Sequence, residues 1–143
     1  MSSAIRFRAT DFADGLPAPG SYHCTITSAR FRRSAQGNRM LQLVFTLEDV
    51  VTERDWVADY FVLEGVSQRG VDTARRRLLR LCRACGLEPK DGDEIGPDEL
   101  LHERLEVKVD HDEYNGQTRL RAVAYHRPTD ATGDVQLLED APF

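Results

Sequence analysis

The chain has 143 residues, enough for one domain with a substantial core, and its three cysteines are an odd number that makes no disulfide framework. No stretch approaches the roughly 18 apolar residues of a membrane span, and the N-terminus lacks the basic-then-apolar order of a signal peptide, so a soluble intracellular protein is expected. The net charge of −5 speaks against a nucleic-acid binder, but residues 1–87 hold 13 Arg against 9 Asp+Glu (+4) and residues 88–143 hold 6 Lys+Arg against 15 Asp+Glu (−9), a basic body with an acidic end.

Residues 1–20 are expected to form an irregular arm, closed by Gly15-Leu-Pro-Ala-Pro-Gly20. From Tyr22 the chain alternates, with Tyr22, Cys24 and Ile26 opposite His23, Thr25 and Thr27. The apolar parity then shifts to Ala29 and Phe31, which predicts a β-bulge or sharp bend near Ser28. A turn at Ser34-Ala-Gln-Gly-Asn38 leads into a second strand with Leu41, Leu43, Phe45 and Leu47 on one face. The result is a long curved hairpin with Arg30, Arg32, Arg33 and Arg39 at its tip.

A polar connection, Glu48 to Arg54, precedes a third strand, which sets Val57, Phe61 and Leu63 against Trp56, Tyr60 and Val62. Val71, Ala74, Leu78, Leu81, Cys82 and Cys85 then recur at helical spacing. Ser67 or Asp72 is placed to cap that helix and Gly86 to stop it, while Arg75, Arg76, Arg77, Arg80 and Arg83 cover much of its other surface. An acidic, turn-rich stretch follows, with a single helical turn expected at Pro97-Asp-Glu-Leu-Leu101. Leu105, Val107 and Val109 mark a fourth strand, Tyr114-Asn-Gly-Gln117 a hairpin turn, and residues 118–126 a fifth strand. On that last strand Leu120, Ala122 and Ala124 are expected opposite Arg119, Arg121, Val123 and Tyr125.

The order β-β-β-α-β-β predicts an all-β protein with one helix, an OB-fold, which is a five-stranded Greek-key barrel, over residues 21–127. Residues 128–143 are expected to be a flexible linker and acidic tip. An OB-fold binds across strands two and three, between the first-to-second and fourth-to-fifth strand loops. Here those loops are Arg32–Arg39 and His111–Arg119. Arginine outnumbers lysine 17 to 2, so the cations are planar, bidentate donors. The candidate nucleic-acid-binding residues are therefore Arg30, Arg32, Arg33, Arg39, Arg119 and Arg121 for phosphates, and Trp56, Tyr60 and Tyr114 for stacking on bases.

The C-terminal Glu139-Asp-Ala-Pro-Phe143 joins a ring and a free carboxylate on one residue. Glu139, Asp140, Pro142 and Phe143 are thus candidates for capture by a partner protein. Cys82 and Cys85, with His102 and His111 downstream, have ligand chemistry for zinc. The cysteines, however, continue the apolar helix stripe, and the reading is buried thiols with no metal and no cofactor. The carboxylates at His111-Asp112-Glu113 and between Asp91 and Glu99 lack a partner lysine and a strand setting, so no enzyme is expected.

In order, Pro19-Gly-Ser-Tyr22, the glycine-turn hairpin, Asp59-Tyr-Phe-Val-Leu63, the arginine- and leucine-rich helix ending Ala84-Cys-Gly86, and the late Tyr-Asn-Gly turn span most of residues 17–127. Together they resemble a phage-encoded family first described as a domain of unknown function and now identified with single-stranded-DNA-binding proteins. Separately, the tip is similar to the acidic Pro-Phe ending of bacterial single-stranded-DNA-binding proteins, which recruits replication and repair enzymes. It departs in having Ala141 where a larger aliphatic is usual, fewer acids and a shorter linker. The resemblance implies a non-enzymatic protein in the bacterial host cytoplasm that coats single-stranded DNA during phage or plasmid replication or recombination. Replication or recombination enzymes would dock on the tip, and self-association into a homo-oligomer is compatible with the sequence. An OB-like adaptor or inhibitor that never touches nucleic acid is the alternative.

Overall fold

Elements follow in the order β1 (Gly20–Arg33), β2 (Arg39–Leu47), β3 (Trp56–Val62), α1 (Gln68–Ala84), α2 (Pro97–Leu100), β4 (Arg104–Tyr114) and β5 (Gln117–His126). The computed structural model describes residue 4, residues 15–65 and residues 67–128, with Tyr114 described by its backbone alone. The expected partner-binding residues Glu139, Asp140, Pro142 and Phe143 lie outside the described residues.

The five strands form one antiparallel sheet in the order β3-β2-β1-β4-β5. β1 is its spine. Its first residues pair with β4, from Gly20↔Val109 to Thr25↔Arg104, while β2 runs along its other edge from Cys24↔Leu47 to Arg33↔Arg39. Thr27 drops out of the β1–β2 ladder between Ile26 and Ser28, the bulge that the parity shift predicts. Ile26 and Ala29 therefore face the same side, opposite Phe45 and Leu43 of β2.

That side is the core. Ile26, Leu43, Phe45, Val57, Phe61, Leu81, Leu105 and Val107 are all fully buried, and each such side chain contributes about 1.5–3 kcal/mol over its exposed state. α1 closes one side of it. Ser67 Oγ accepts the Gly70 amide at 3.1 Å at the helix start. At the far end Leu87 N donates to Cys82 O (2.9 Å) and Gly86 N to Arg83 O (3.0 Å), with Gly86 at φ +88°. α2 begins on a proline, as expected, and seats Leu100 in the core.

Among the described residues no hydrogen-bonded ladder joins β3 to β5, so the sheet is open. Side chains bridge the gap instead. Tyr125 of β5 lies 5.4 Å from the Phe45 ring and 6.4 Å from the Phe61 ring, and its hydroxyl donates to Asp59 of β3. Two expectations change here. Val123 is an extra residue between the pairs Val109↔Ala122 and Lys108↔Ala124, so the parity of β5 flips and Tyr125 points inward rather than sharing a face with Arg119 and Arg121. The His111–Glu113 stretch is strand rather than loop, because the turn needs only Asn115 (φ 54°) and Gly116 (φ 77°) and the ladder runs to Tyr114↔Gln117. No helix among the described residues is long and apolar enough to cross a membrane.

Candidate nucleic-acid interface

Alternation along β3 sends Val57, Asp59 and Phe61 toward the core side and Trp56, Ala58 and Tyr60 outward. Trp56 and Tyr60 are 41% and 44% exposed, unusual for such large side chains. They border a cleft of about 750 Å³ between β3, β5 and α1. Arg119 and Arg121 of β5 and Arg77 and Arg80 of α1 line its other walls, with Arg54 at the Trp56 end.

Arg54 holds the indole from one side. Its guanidinium lies 3.9 Å from the ring centroid, and its Nε donates to the Trp56 carbonyl at 3.1 Å. The Arg54 amide is itself tied to Gly15 O at 2.8 Å, which fixes this corner. One ring face is taken by the cation, and the residue as a whole remains 41% exposed.

On the cleft's inner wall, Asp59 accepts from the Arg77 guanidinium, from the Tyr125 hydroxyl and, at 2.8 Å, from the Tyr60 amide. Burial pushes the Asp59 carboxyl up, while the Tyr125 hydrogen bond, Arg77 and the Tyr60 amide pull it down without cancelling the shift. Burial and the neighbouring carboxylate likewise push the Tyr125 hydroxyl well up, so it is a donor at every working pH. Arg77 is thereby clamped, its guanidinium 4.6 Å from the Phe61 centroid. On β5, Arg119 Nε donates to Asp112 Oδ1 at 2.9 Å and holds that carboxyl below the ordinary range. Arg121 pairs across the ladder with Asp110.

Of the residues expected from sequence, Trp56, Tyr60, Arg119 and Arg121 meet in this cleft. Arg30 stands on the adjoining outer face, in a row with Gln42 and Tyr60 across three strands. Arg32 donates to Gln42 Oε1 at 3.0 Å on the same face. Arg33 and Arg39 turn elsewhere. Arg33 reaches Glu64 Oε2 (3.1 Å) and Gly37 O (2.9 Å), and the Arg39 guanidinium stacks 4.1 Å from the Phe31 centroid. Both lie at the hairpin tip, beside Glu64 and Phe31. Tyr114 sits at the far end of the β4–β5 hairpin.

Arg54, Asp59, Arg77 and Arg80 were absent from the sequence-derived set. For Asp59 the signal was present, since a carboxylate between Val57 and Phe61 occupies a core-facing position. For Arg77 and Arg80 no strand pattern identifies which helix face borders the sheet edge.

Metal chemistry finds no cluster here. Among the described residues no group of three or more His, Cys, Asp or Glu stands together. His111 Nε2 lies 2.7 Å from Pro17 O, and burial pushes the Cys85 thiol up to about 12.

A family model described as "Protein of unknown function (DUF669)" matches residues 9–135. The chain belongs to this family. No curated protein matches it. The matched span takes in all the strands and helices of the described residues and the residues lining the cleft.

Proposed function

We propose that this protein binds single-stranded DNA with little sequence preference, without catalysing a reaction, through the cleft and the adjoining outer face of β1, β2 and β3. One observation carries this reading: exposed aromatic rings and arginines from three separate elements converge on one groove. Planar rings accept any base by stacking, about 1–3 kcal/mol each, and guanidiniums neutralise the backbone. The architecture supports an OB-fold interpretation. The hydrogen-bonded order β3-β2-β1-β4-β5, with β3 and β5 meeting through Tyr125, Asp59 and Phe61, is the order expected if such a barrel were left open between β3 and β5. The role in phage or plasmid replication and recombination, and the docking of partner enzymes on Glu139, Asp140, Pro142 and Phe143, rest on the resemblance and the tip sequence.

Trp56 is the chain's single tryptophan, so its fluorescence reports the cleft directly. Titration with an oligothymidylate of about 15 nucleotides should quench it and saturate. A matched duplex should compete poorly. Each phosphate contact adds about −0.7 to the slope of log K against log salt, so two to four cleft arginines contribute roughly −1.5 to −3 of it. Absence of binding at about 50 mM salt would overturn the proposal and favour an adaptor that does not bind nucleic acid.

A further inference from the structure

We infer that the outer arginine face of α1 is a second stretch of the strand-binding track, along which a DNA backbone leaving the cleft continues. This inference rests on the single-strand reading above. α1 carries six arginines (Arg69, Arg75, Arg76, Arg77, Arg80 and Arg83) and one acid, Asp72. At 100° per residue, Arg69, Arg76, Arg80 and Arg83 fall within a stripe roughly 60° wide. That stripe lies away from the buried Ala74, Leu81 and Cys82, and the small, buried Ala84 flanks its cleft-side edge. It extends about 21 Å at 1.5 Å per residue.

Three features separate this face from an ordinary solvated one. All four side chains are exposed, and none has a carboxylate partner among the described residues. By contrast, the charged residues Arg33, Arg77, Arg104 and Arg119 are each ion-paired. The stripe also works against its own helix. Arg76 and Arg80 repel at i,i+4, Arg80 and Arg83 at i,i+3, and Arg69 sits in a first turn that holds no acid, where the helix dipole disfavours a cation. Bound phosphates would relieve each of these costs. Finally, the stripe is continuous with the cleft, since Arg80 belongs to both. A polyanion lying in the cleft therefore meets Arg80 at its α1 wall, then Arg76 and Arg83.

The test is the double variant Arg76→Ala/Arg83→Ala, compared with wild type on two oligothymidylates, one of about 4 nucleotides that fits the cleft and one of about 16. On the long strand the salt slope should shrink by about 1.4 for two lost contacts, which corresponds to roughly 25-fold weaker binding at 0.1 M salt and convergence near 1 M. On the short strand affinity should be unchanged. Arg75→Ala, on the helix flank away from the cleft, removes a charge outside the stripe and should leave the slope on both strands as it was. An unchanged slope in the double variant, with wild type still binding, would overturn the track and leave the cleft site standing. An equal loss in Arg75→Ala would also overturn it, by reducing the effect to net charge. Absence of wild-type binding to either strand would overturn both readings together.

Discussion

Replacing Tyr125 with Phe should reveal how much the side-chain bridge between the sheet's two ends contributes. The ring keeps its contacts with Phe45 and Phe61 at 5.4 and 6.4 Å, so the apolar contribution is held constant and only the hydroxyl is lost. That hydroxyl donates to Asp59, whose side chain is 16% exposed. A hydrogen bond to a charged group contributes about 1.5–3 kcal/mol, and Asp59 keeps Arg77 and the Tyr60 amide, so a loss of about 2 kcal/mol is expected at neutral pH. For a domain of this size that is roughly 8 °C in Tm.

The effect should depend on pH in a defined sense. Asp59 has a folded-state carboxyl raised above its ordinary value, chiefly by burial. An acid of this kind binds more protons folded than unfolded between its two pKa values. Its contribution to stability therefore falls as pH rises through that window and is flat above it. Losing the Tyr125 donor raises the folded value further, so the variant's window extends to higher pH. Below the ordinary carboxylate range Asp59 is protonated in both states and the lost bond is a neutral one, about 1 kcal/mol. The deficit should thus halve between pH 7 and the acid limit, read by thermal or urea unfolding followed by circular dichroism. A deficit under about 0.5 kcal/mol at pH 7, or one that grows on acidification, would refute the assigned network.

Trp56→Ala should weaken single-strand binding by about 2 kcal/mol, or roughly 30-fold, because Arg54 already covers one ring face and only one base can stack on the other; Trp56→Phe should lose less, and anisotropy of a labelled strand measures both. Gly65→Ala places a Cβ 1.8 Å from Asn38 Oδ1 at φ +84°. It should cost about 2 kcal/mol in urea unfolding while leaving binding intact, since the hairpin tip lies apart from the cleft. Deleting residues 138–143 should leave DNA affinity equal or higher, because Glu139 and Asp140, two carboxylates able to compete with phosphate for the arginines, are removed; a marked loss in the same anisotropy assay would place the tip in the binding surface itself.

What could be read from the sequence was whatever depends on neighbours along the chain. The bulge at Thr27 is visible because Ile26 and Ala29 must both reach the core, and no straight strand permits that. Ser67 and Gly86 mark the ends of α1 for reasons confined to a single turn. The second bulge, at Val123, leaves no such mark. Ala122 and Ala124 are small and apolar enough to suit either face, so the alternation runs on through the residue where the backbone flips. Tyr125 is then misplaced, and with it the meaning of Asp59, because the carboxylate's partner lies 66 residues away on a strand whose parity is hidden. The cleft shares that property. Trp56 and Tyr60 are conspicuous along β3, and Arg119 and Arg121 along β5, but the arginines of α1 join them only when the curled sheet brings β3 and β5 under one helix. Residues recognisable by local pattern thus gave half the groove. Arg77 and Arg80 came from an element that meets the sheet only through tertiary packing, where strand alternation and helix periodicity carry no information about each other.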